Sequence, residues 1–152
     1  TARRNRLRAV TKVTKFETVI ADECFAAKSG FSVGDELWSI ERVRYLDGKA
    51  LILDVNYFLK EFVPGLTPQI AASSIYDYIE NTLGMQIITS KRRITVEHAT
   101  ARDEKLLDMG TYGCVVVVLN QTFNAAGLLF EYAQSRRRPD FFCFQYIATR
   151  KK

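Results

Sequence analysis

The chain has 152 residues, of which 47% are hydrophobic and 26% are charged, proportions that indicate one folded domain and exclude a disordered chain. Its formal net charge of +5 comes from the two ends: residues 1–15 and 136–152 each hold six basic groups, and residues 16–135 hold ten basic against sixteen acidic groups. We therefore expect solvated basic tails on an acidic body, not a broad basic face for duplex nucleic acid, and no apolar run reaches the roughly 18 residues of a membrane helix.

The sequence of the first half of the chain predicts strands, a short helix and a hairpin. Residues 1–10 are expected to be a lead-in without regular structure. β-Branched residues indicate the first strand, and Gly30 ends the helix. Asp47-Gly48 between two apolar runs is a strong hairpin signal. The predicted elements are a strand at 11–20, a helix at 21–28, and strands at 35–46 and 49–58.

The sequence of the second half predicts three helix starts and four strands. Pro68 suits the first helical position after Thr67. Ser74 with Asp77, and Thr100 with Asp103, have the spacing of helix caps. We expect the helices after Ser74 and Thr100 to end at Gly84 and Gly110, and strands at 86–99, 114–123, 128–136 and 142–150. Because the strands follow one another in hairpins, an α+β fold with a mostly antiparallel sheet flanked by helices is predicted.

Two arginines on one strand are the first candidate binding residues. Side chains alternate along a strand, so Trp38, Ile40, Arg42 and Arg44 share a face. Two neighbouring guanidinium groups repel each other unless an anion neutralises them, and arginine is well shaped for phosphate or carboxylate. The other interpretation is that this strand end emerges into solvent.

The hairpin turn decides which residue faces these arginines. With a two-residue turn at Asp47-Gly48, Arg42 lies opposite Leu53 and Asp54 points to the other face. With a three-residue loop and a left-handed Gly48, Arg42 pairs with Ile52 and Asp54 joins the arginine face. Both forms are common in hairpins, and the sequence leaves the choice open.

A helix start is the second candidate. Backbone N–H groups at the start of a helix attract anions, and Ser74 adds a hydroxyl beside Tyr76. The simpler interpretation is that Ser74 only caps the helix.

A late strand is the third candidate. Glu131 lies in an otherwise apolar strand and needs a partner, because an unpaired buried carboxylate is costly. Arg136, Arg137 and Arg138 cannot all point one way, so we expect a solvated turn before Pro139 to explain at least one of them.

Cysteine and histidine offer little chemistry. The three cysteines form no CxxC pair, and we expect them to be buried, reduced thiols: Cys24, Cys114 and Cys143. The single histidine, His98, is expected at a surface strand end. No metal ion or other cofactor is predicted.

Four segments in order resemble a known family. They are Glu41-Arg42-Val43-Arg44 with Asp47-Gly48, Asp54-Val55-Asn56-Tyr57-Phe58, Ser74-Ile75-Tyr76, and the run from Glu131 to Asp140. From about Thr11 to Arg150 the chain resembles the UTRA effector-binding domain of the HutC branch of GntR-type bacterial transcription regulators. Within that family it is most similar to repressors of trehalose operons.

The resemblance implies a chorismate-lyase-like fold, a homodimer and a cytoplasmic sensor that is not an enzyme. Residues 1–10 would then be the linker from an N-terminal winged-helix domain that binds operator DNA, and 11–152 the effector domain. In relatives that bind sugar phosphates, the phosphate is held at positions that match Arg42, Arg44, Ser74 and Tyr76. The sugar hydroxyls are contacted at positions that match Asp54 and Glu131. Arg137 stands where many members have a tyrosine contact.

The resemblance thus predicts a sensor of a phosphorylated sugar, with trehalose 6-phosphate as the best candidate. Three alternatives stay open: a chorismate-lyase-like enzyme, a sensor of another ligand such as an amino-sugar phosphate, and a nucleic-acid module that uses the basic tails.

Overall fold

The computed structural model describes residues 9–143, 145, 147 and 148. Its strands are β1 (Ala9–Ile20), β2 (Glu36–Leu46), β3 (Lys49–Leu59), β4 (Ile87–His98), β5 (Cys114–Asn124) and β6 (Leu129–Arg137). They form one sheet in the order β1-β2-β3-β6-β5-β4, and every neighbouring pair is antiparallel. The predicted α+β class with an antiparallel sheet is therefore confirmed. Most of the expected lead-in, residues 1–8, lies outside the described residues.

Short helices cover both faces of the sheet. They are α1 (Glu23–Ser29), α2 (Pro68–Ala72), α3 (Ile75–Asp77) and α4 (Ala101–Leu106), with a π-helical turn at Tyr78–Thr82 and a 3₁₀ turn at Pro139–Phe141. The predicted caps form: the side chains of Thr67, Ser74 and Thr100 each accept from a backbone N–H three residues ahead. The last helix ends at Leu106, well before Gly110, because Leu107 is already extended.

The apolar core has two layers, one on each side of the sheet. On the first face, Ile40 and Phe58 pack with Ile75 and Ile79 from the segment that contains α3. On the second face, two clusters lie under α1 and under the segment that follows α4: Ala21, Phe31, Leu37 and Tyr132, and Val43, Leu53, Leu107, Met109, Val115 and Val117. The first face also carries the predicted arginines, so we call it the arginine face.

A buried ion pair attaches α4 to the second face. Arg136 donates from Nε and Nη2 to the two carboxylate oxygens of Asp103, at 2.8 and 2.9 Å. Asp103 has no exposed surface, and only 6% of Arg136 is exposed. Burial acts to raise the pKa of Asp103, but the hydrogen bonds from Arg136 and Thr100 and the positive charge of Arg136 together outweigh that effect and leave the pKa below its usual value.

The β2–β3 hairpin follows neither of the two expected registers. Asp47 and Gly48 both have positive φ, 53° and 83°, as a two-residue type I′ turn requires. The register then shifts by one residue, because Tyr45 pairs with Ala50 but Arg44 pairs with Ile52. Leu51 is the extra residue of this bulge. The turn is thus the shorter form, while Asp54 lies on the arginine face as the longer form would require.

The predicted strand at 142–150 is absent from those of its residues that the structure describes. Residues 142, 143, 145, 147 and 148 have no strand structure, and 144, 146, 149 and 150 lie outside the described residues. β6 is already paired on both sides, by β3 and β5, so the chain has no free neighbour there. The segment instead brings Phe142 and Cys143 to the arginine face.

Two smaller expectations are also wrong. The cysteines are unpaired, as expected, but Cys24 and Cys143 are exposed and Cys114 is only partly buried. The arginines of 136–138 are structured rather than parts of a solvated tail. Arg138 binds both carboxylate oxygens of Asp140 and the carbonyl oxygen of Asp108. No helix among the described residues is long and apolar enough to span a membrane.

Candidate functional site

A cavity of about 390 Å³ lies between the arginine face and the segment from α2 to α3. This volume is within the range of small-molecule sites. The structure brings all seven sequence-predicted site residues to its wall: Arg42, Arg44, Asp54, Ser74, Tyr76, Glu131 and Arg137. They come from β2, β3, β6 and the start of α3, so the antiparallel strand order gathers residues that are distant in the chain.

Arg42 is held by two neighbours but keeps one donor without a partner. Its Nη2 donates to Asn56 Oδ1 at 3.0 Å, and its Nη1 donates a longer bond of 3.4 Å to the carbonyl oxygen of Ala71. The Nε of Arg42 is buried and has no hydrogen-bond partner among the described residues. Burial lowers the pKa of Arg42, and Asp54 acts to raise it. An acceptor from a ligand would satisfy the unpaired N–H.

Asp54 is placed between two arginines by the β-bulge. It lies directly opposite Arg42 in the β2–β3 ladder, and its Oδ2 is 3.7 Å from Nη1 of Arg44. The side chain of Asp54 is 10% exposed, whereas that of Arg44 is 46% exposed. Arg44 therefore extends toward solvent at the cavity rim, where it remains accessible to a ligand.

Glu131 is the most buried polar group of the cavity wall. It has no exposed surface and accepts hydrogen bonds from three side chains. Oε1 accepts a bond from the Tyr76 hydroxyl and one of 3.1 Å from Thr122, and Oε2 accepts one of 2.8 Å from Asn56. Burial raises the pKa of Glu131 despite these donors. These three hydrogen bonds connect β6 to α3, β5 and β3.

Tyr76 links the helical segment to the sheet. Its hydroxyl reaches the buried Glu131, while 40% of the residue remains exposed. Burial and the neighbouring Glu131 raise the pKa of the Tyr76 phenol, so the hydroxyl stays protonated and acts as a donor.

Ser74 has the role that the simpler interpretation gave it. Its hydroxyl oxygen accepts from the backbone N–H of Asp77 at 3.2 Å and caps α3. α3 has only three residues, so its dipole attracts an anion weakly. The O–H of Ser74 remains a donor at the cavity wall, and the charge that attracts an anion comes from the arginines.

Arg137 enters the cavity from β6. Its Nε donates to Ser135 Oγ at 3.0 Å. Burial lowers its pKa, Asp54 acts to raise it, and the nearby Arg44 and Arg92 lower it further. Arg136 points to the opposite face, as strand alternation requires.

Asn56, Arg92 and Asn120 are among the polar residues of the wall that were not predicted from the sequence. Asn56 bridges Arg42 and Glu131, and its position two residues after Asp54 in a strand was a usable signal. Arg92 and Asn120 belong to β4 and β5. Their place in the cavity depends on the strand order, which no local pattern reveals.

The cavity carries an excess of positive charge. Four guanidinium groups line it, from Arg42, Arg44, Arg92 and Arg137. The carboxyl groups among its described lining residues are Asp54 and Glu131, and burial of Glu131 favours its neutral form. Such an arrangement binds an anion with two negative charges better than a neutral molecule.

Comparison with known proteins assigns the chain to a family. Residues 4–142 match the UTRA domain family. The chain belongs to this family. It is 39% identical over 142 residues to the HTH-type transcriptional regulator TreR of Bacillus subtilis and 27% identical over 141 residues to the mannosyl-D-glycerate transport/metabolism system repressor MngR of Escherichia coli. Each match covers 93% of this chain.

The UTRA fold is also seen in a solved structure. The effector-binding domain of the B. subtilis trehalose repressor superposes with a TM-score of 0.86 and 38% identity, covering 94% of this chain and 99% of that one. The chain spans only 60% of the length of TreR and 59% of MngR. The similarity is therefore to the UTRA part of these regulators.

Proposed function

We propose that this UTRA domain senses a phosphorylated sugar, with trehalose 6-phosphate as the best candidate, and controls an attached DNA-binding domain. The ligand would bind in the cavity on the arginine face. The phosphate would contact Arg42 and Arg44, with the Ser74 hydroxyl and Tyr76 at the same end. Asp54 would accept hydrogen bonds from sugar hydroxyls, and Arg137 would add positive charge.

The observation that carries this proposal is the unpaired Nε of Arg42. A buried donor without a partner costs on the order of 1–3 kcal/mol, so native structures rarely leave one unsatisfied. The other nitrogens of Arg42 are held by Asn56 and Ala71, which fixes the orientation of the guanidinium group. A phosphate oxygen is the acceptor that fits a charged donor in a wall rich in arginine.

Glu131 has a different role in this proposal from the one that the resemblance implies. Its oxygens already accept from Tyr76, Thr122 and Asn56, so it would position Tyr76 and Asn56 rather than contact the sugar. We keep Asp54 as the carboxylate that contacts hydroxyls, because it lies between two arginines at the cavity wall.

The names of the relatives support a regulatory role. TreR is named a transcriptional regulator and MngR a repressor, and the solved relative is named a trehalose repressor. We infer that this domain is a sensor rather than an enzyme and acts as a homodimer in the cytoplasm. A sugar phosphate can shift the dimer between two arrangements only through its difference in affinity for them.

The direct test is titration calorimetry with trehalose 6-phosphate. Arg42→Ala should weaken binding at least about tenfold, because a hydrogen bond to a charged group is worth about 1.5–3 kcal/mol. Arg93→Ala is the matched control, since Arg93 lies on the opposite face of the sheet and is not among the residues that line the cavity. Circular dichroism should show the same fold for both variants.

Two results would contradict the proposal. One is an unchanged affinity of Arg42→Ala for trehalose 6-phosphate. The other is formation of 4-hydroxybenzoate from chorismate, which would favour the enzyme alternative over the sensor.

A further inference from the structure

The cavity floor extends much further than the residues proposed to bind phosphate. Its lining residues include members of β2, β3, β6, β5 and β4, which are consecutive in the sheet. Neighbouring strands lie about 4.8 Å apart, so the floor from β2 to β4 spans about 19 Å. A phosphorylated hexose is shorter than this floor, and a phosphorylated disaccharide fills more of it.

Two cross-strand pairs form the distal end of the floor. Ile94 of β4 lies opposite Val118 of β5, and Arg92 lies opposite Asn120 one step along the same face. All four line the cavity. The first pair is apolar, and Ile94 is 39% exposed, so its side chain is open to a ligand. The second pair carries hydrogen-bonding groups immediately beside it.

This arrangement matches the two surfaces of a pyranose ring. The C–H groups of such a ring form an apolar face that packs on aliphatic side chains, while its hydroxyl groups lie around the edge and need donors and acceptors. Ile94 and Val118 offer the aliphatic platform. Arg92 and Asn120 offer polar groups at its edge, where the ring hydroxyls would lie.

Arg92 and Asn120 have hydrogen-bonding groups that the described protein residues do not use. Arg92 Nε and Asn120 Oδ1 are 3.5 Å apart, at the limit of a hydrogen bond, and this is the one side-chain hydrogen bond of either residue among those described. An arginine has five N–H donors and an asparagine amide has two more. Neither side chain is needed to hold another element in place.

We infer that Arg92, Asn120, Ile94 and Val118 form a distal sugar subsite that binds the second ring of a disaccharide phosphate. This inference rests on the proposed function, because the phosphate must bind near Arg42 for the second ring to reach β4 and β5. The subsite makes the cavity select a disaccharide phosphate over a hexose phosphate.

Calorimetry with trehalose 6-phosphate and glucose 6-phosphate tests the subsite. The unaltered domain should bind the disaccharide phosphate more tightly. Arg92→Ala and Asn120→Ala should each weaken trehalose 6-phosphate about tenfold and change glucose 6-phosphate less than about twofold, because only the disaccharide reaches β4 and β5. Arg93→Ala, which removes the same charge one residue away on the other face, should change neither.

The outcomes separate the two proposals. If Arg92→Ala and Asn120→Ala leave trehalose 6-phosphate unchanged, or weaken both ligands equally, the subsite is wrong while the proposed function stands through Arg42. If Arg93→Ala weakens the binding of trehalose 6-phosphate as much as Arg92→Ala does, the loss comes from the change in overall charge, and the subsite is wrong. If the unaltered domain binds neither sugar phosphate, the proposed function itself fails.

Discussion

Tyr76 at the start of α3 donates its hydroxyl hydrogen bond to Glu131, a carboxyl with no exposed surface on β6. The two residues are 55 positions apart in the chain. Their contact attaches the helical segment to the sheet at the cavity wall, and Asn56 extends the connection from Glu131 to Arg42. The anion-binding end of the cavity and its helical wall are thus parts of one hydrogen-bonded network.

Removing the Tyr76 hydroxyl should destabilise the domain. Tyr76→Phe leaves the buried Glu131 with two of its three side-chain donors, and we expect a loss of about 1–3 kcal/mol in the free energy of unfolding. Urea denaturation followed by circular dichroism measures this loss. Tyr78→Phe is the control, because the Tyr78 hydroxyl donates to the exposed Pro64 carbonyl and its removal should cost less. Equal losses for both variants would argue against a special Tyr76–Glu131 bond.

Glu131 should make stability fall as the pH rises. Burial raises the pKa of Glu131 above its ordinary value of 4.5, so the folded state keeps a proton that the unfolded state releases. Between these two pKa values the folded state binds more protons, and stability therefore decreases with rising pH. In Glu131→Gln this component is absent, so the variant should gain stability relative to the unaltered domain from pH 4.5 upward. Urea denaturation at several pH values would contradict this if the difference stayed constant.

The Arg136–Asp103 pair should be important for stability and not for ligand binding. Arg136→Met leaves a buried carboxylate without its partner, and we expect a loss of about 3–5 kcal/mol in the free energy of unfolding. Adding Asp103→Leu should recover much of that loss, because the unpaired charge is then removed as well. Thermal unfolding of the single and double variants measures both effects.

Two comparisons complete that experiment. Lys15→Ala removes one partner of the Lys15–Glu17 pair, which is exposed on both sides, and should change stability little. The affinity of folded Arg136→Met for trehalose 6-phosphate should equal that of the unaltered domain, because Arg136 faces away from the cavity. A large loss of affinity in that variant would show that the second face also influences the site.

Local patterns in the sequence determined much of this fold. β-Branched and alternating apolar residues predicted five of the six strands to within one residue, and β1 from Thr11 where it begins at Ala9. Ser74, Thr67 and Thr100 were recognisable as caps, because the hydrogen bonds of a cap involve residues three positions apart. The hairpin at Asp47-Gly48 was recognisable for the same reason, whereas the sequence left its two-residue and three-residue forms open.

Only the tertiary structure decided the register, the strand order and the partners of the buried charges. The bulge at Leu51 places Asp54 opposite Arg42, and the pairing of β6 with β3 and β5 places Glu131 beside Thr122 and Asn56. The same order brings Arg92 to the cavity and leaves no strand neighbour beside β6 for residues 142, 143, 145, 147 and 148. These outcomes depend on hydrogen bonds and packing between residues far apart in the chain. The spacing of residues along the sequence indicates which residues could make such contacts, but it does not predict which of these contacts form.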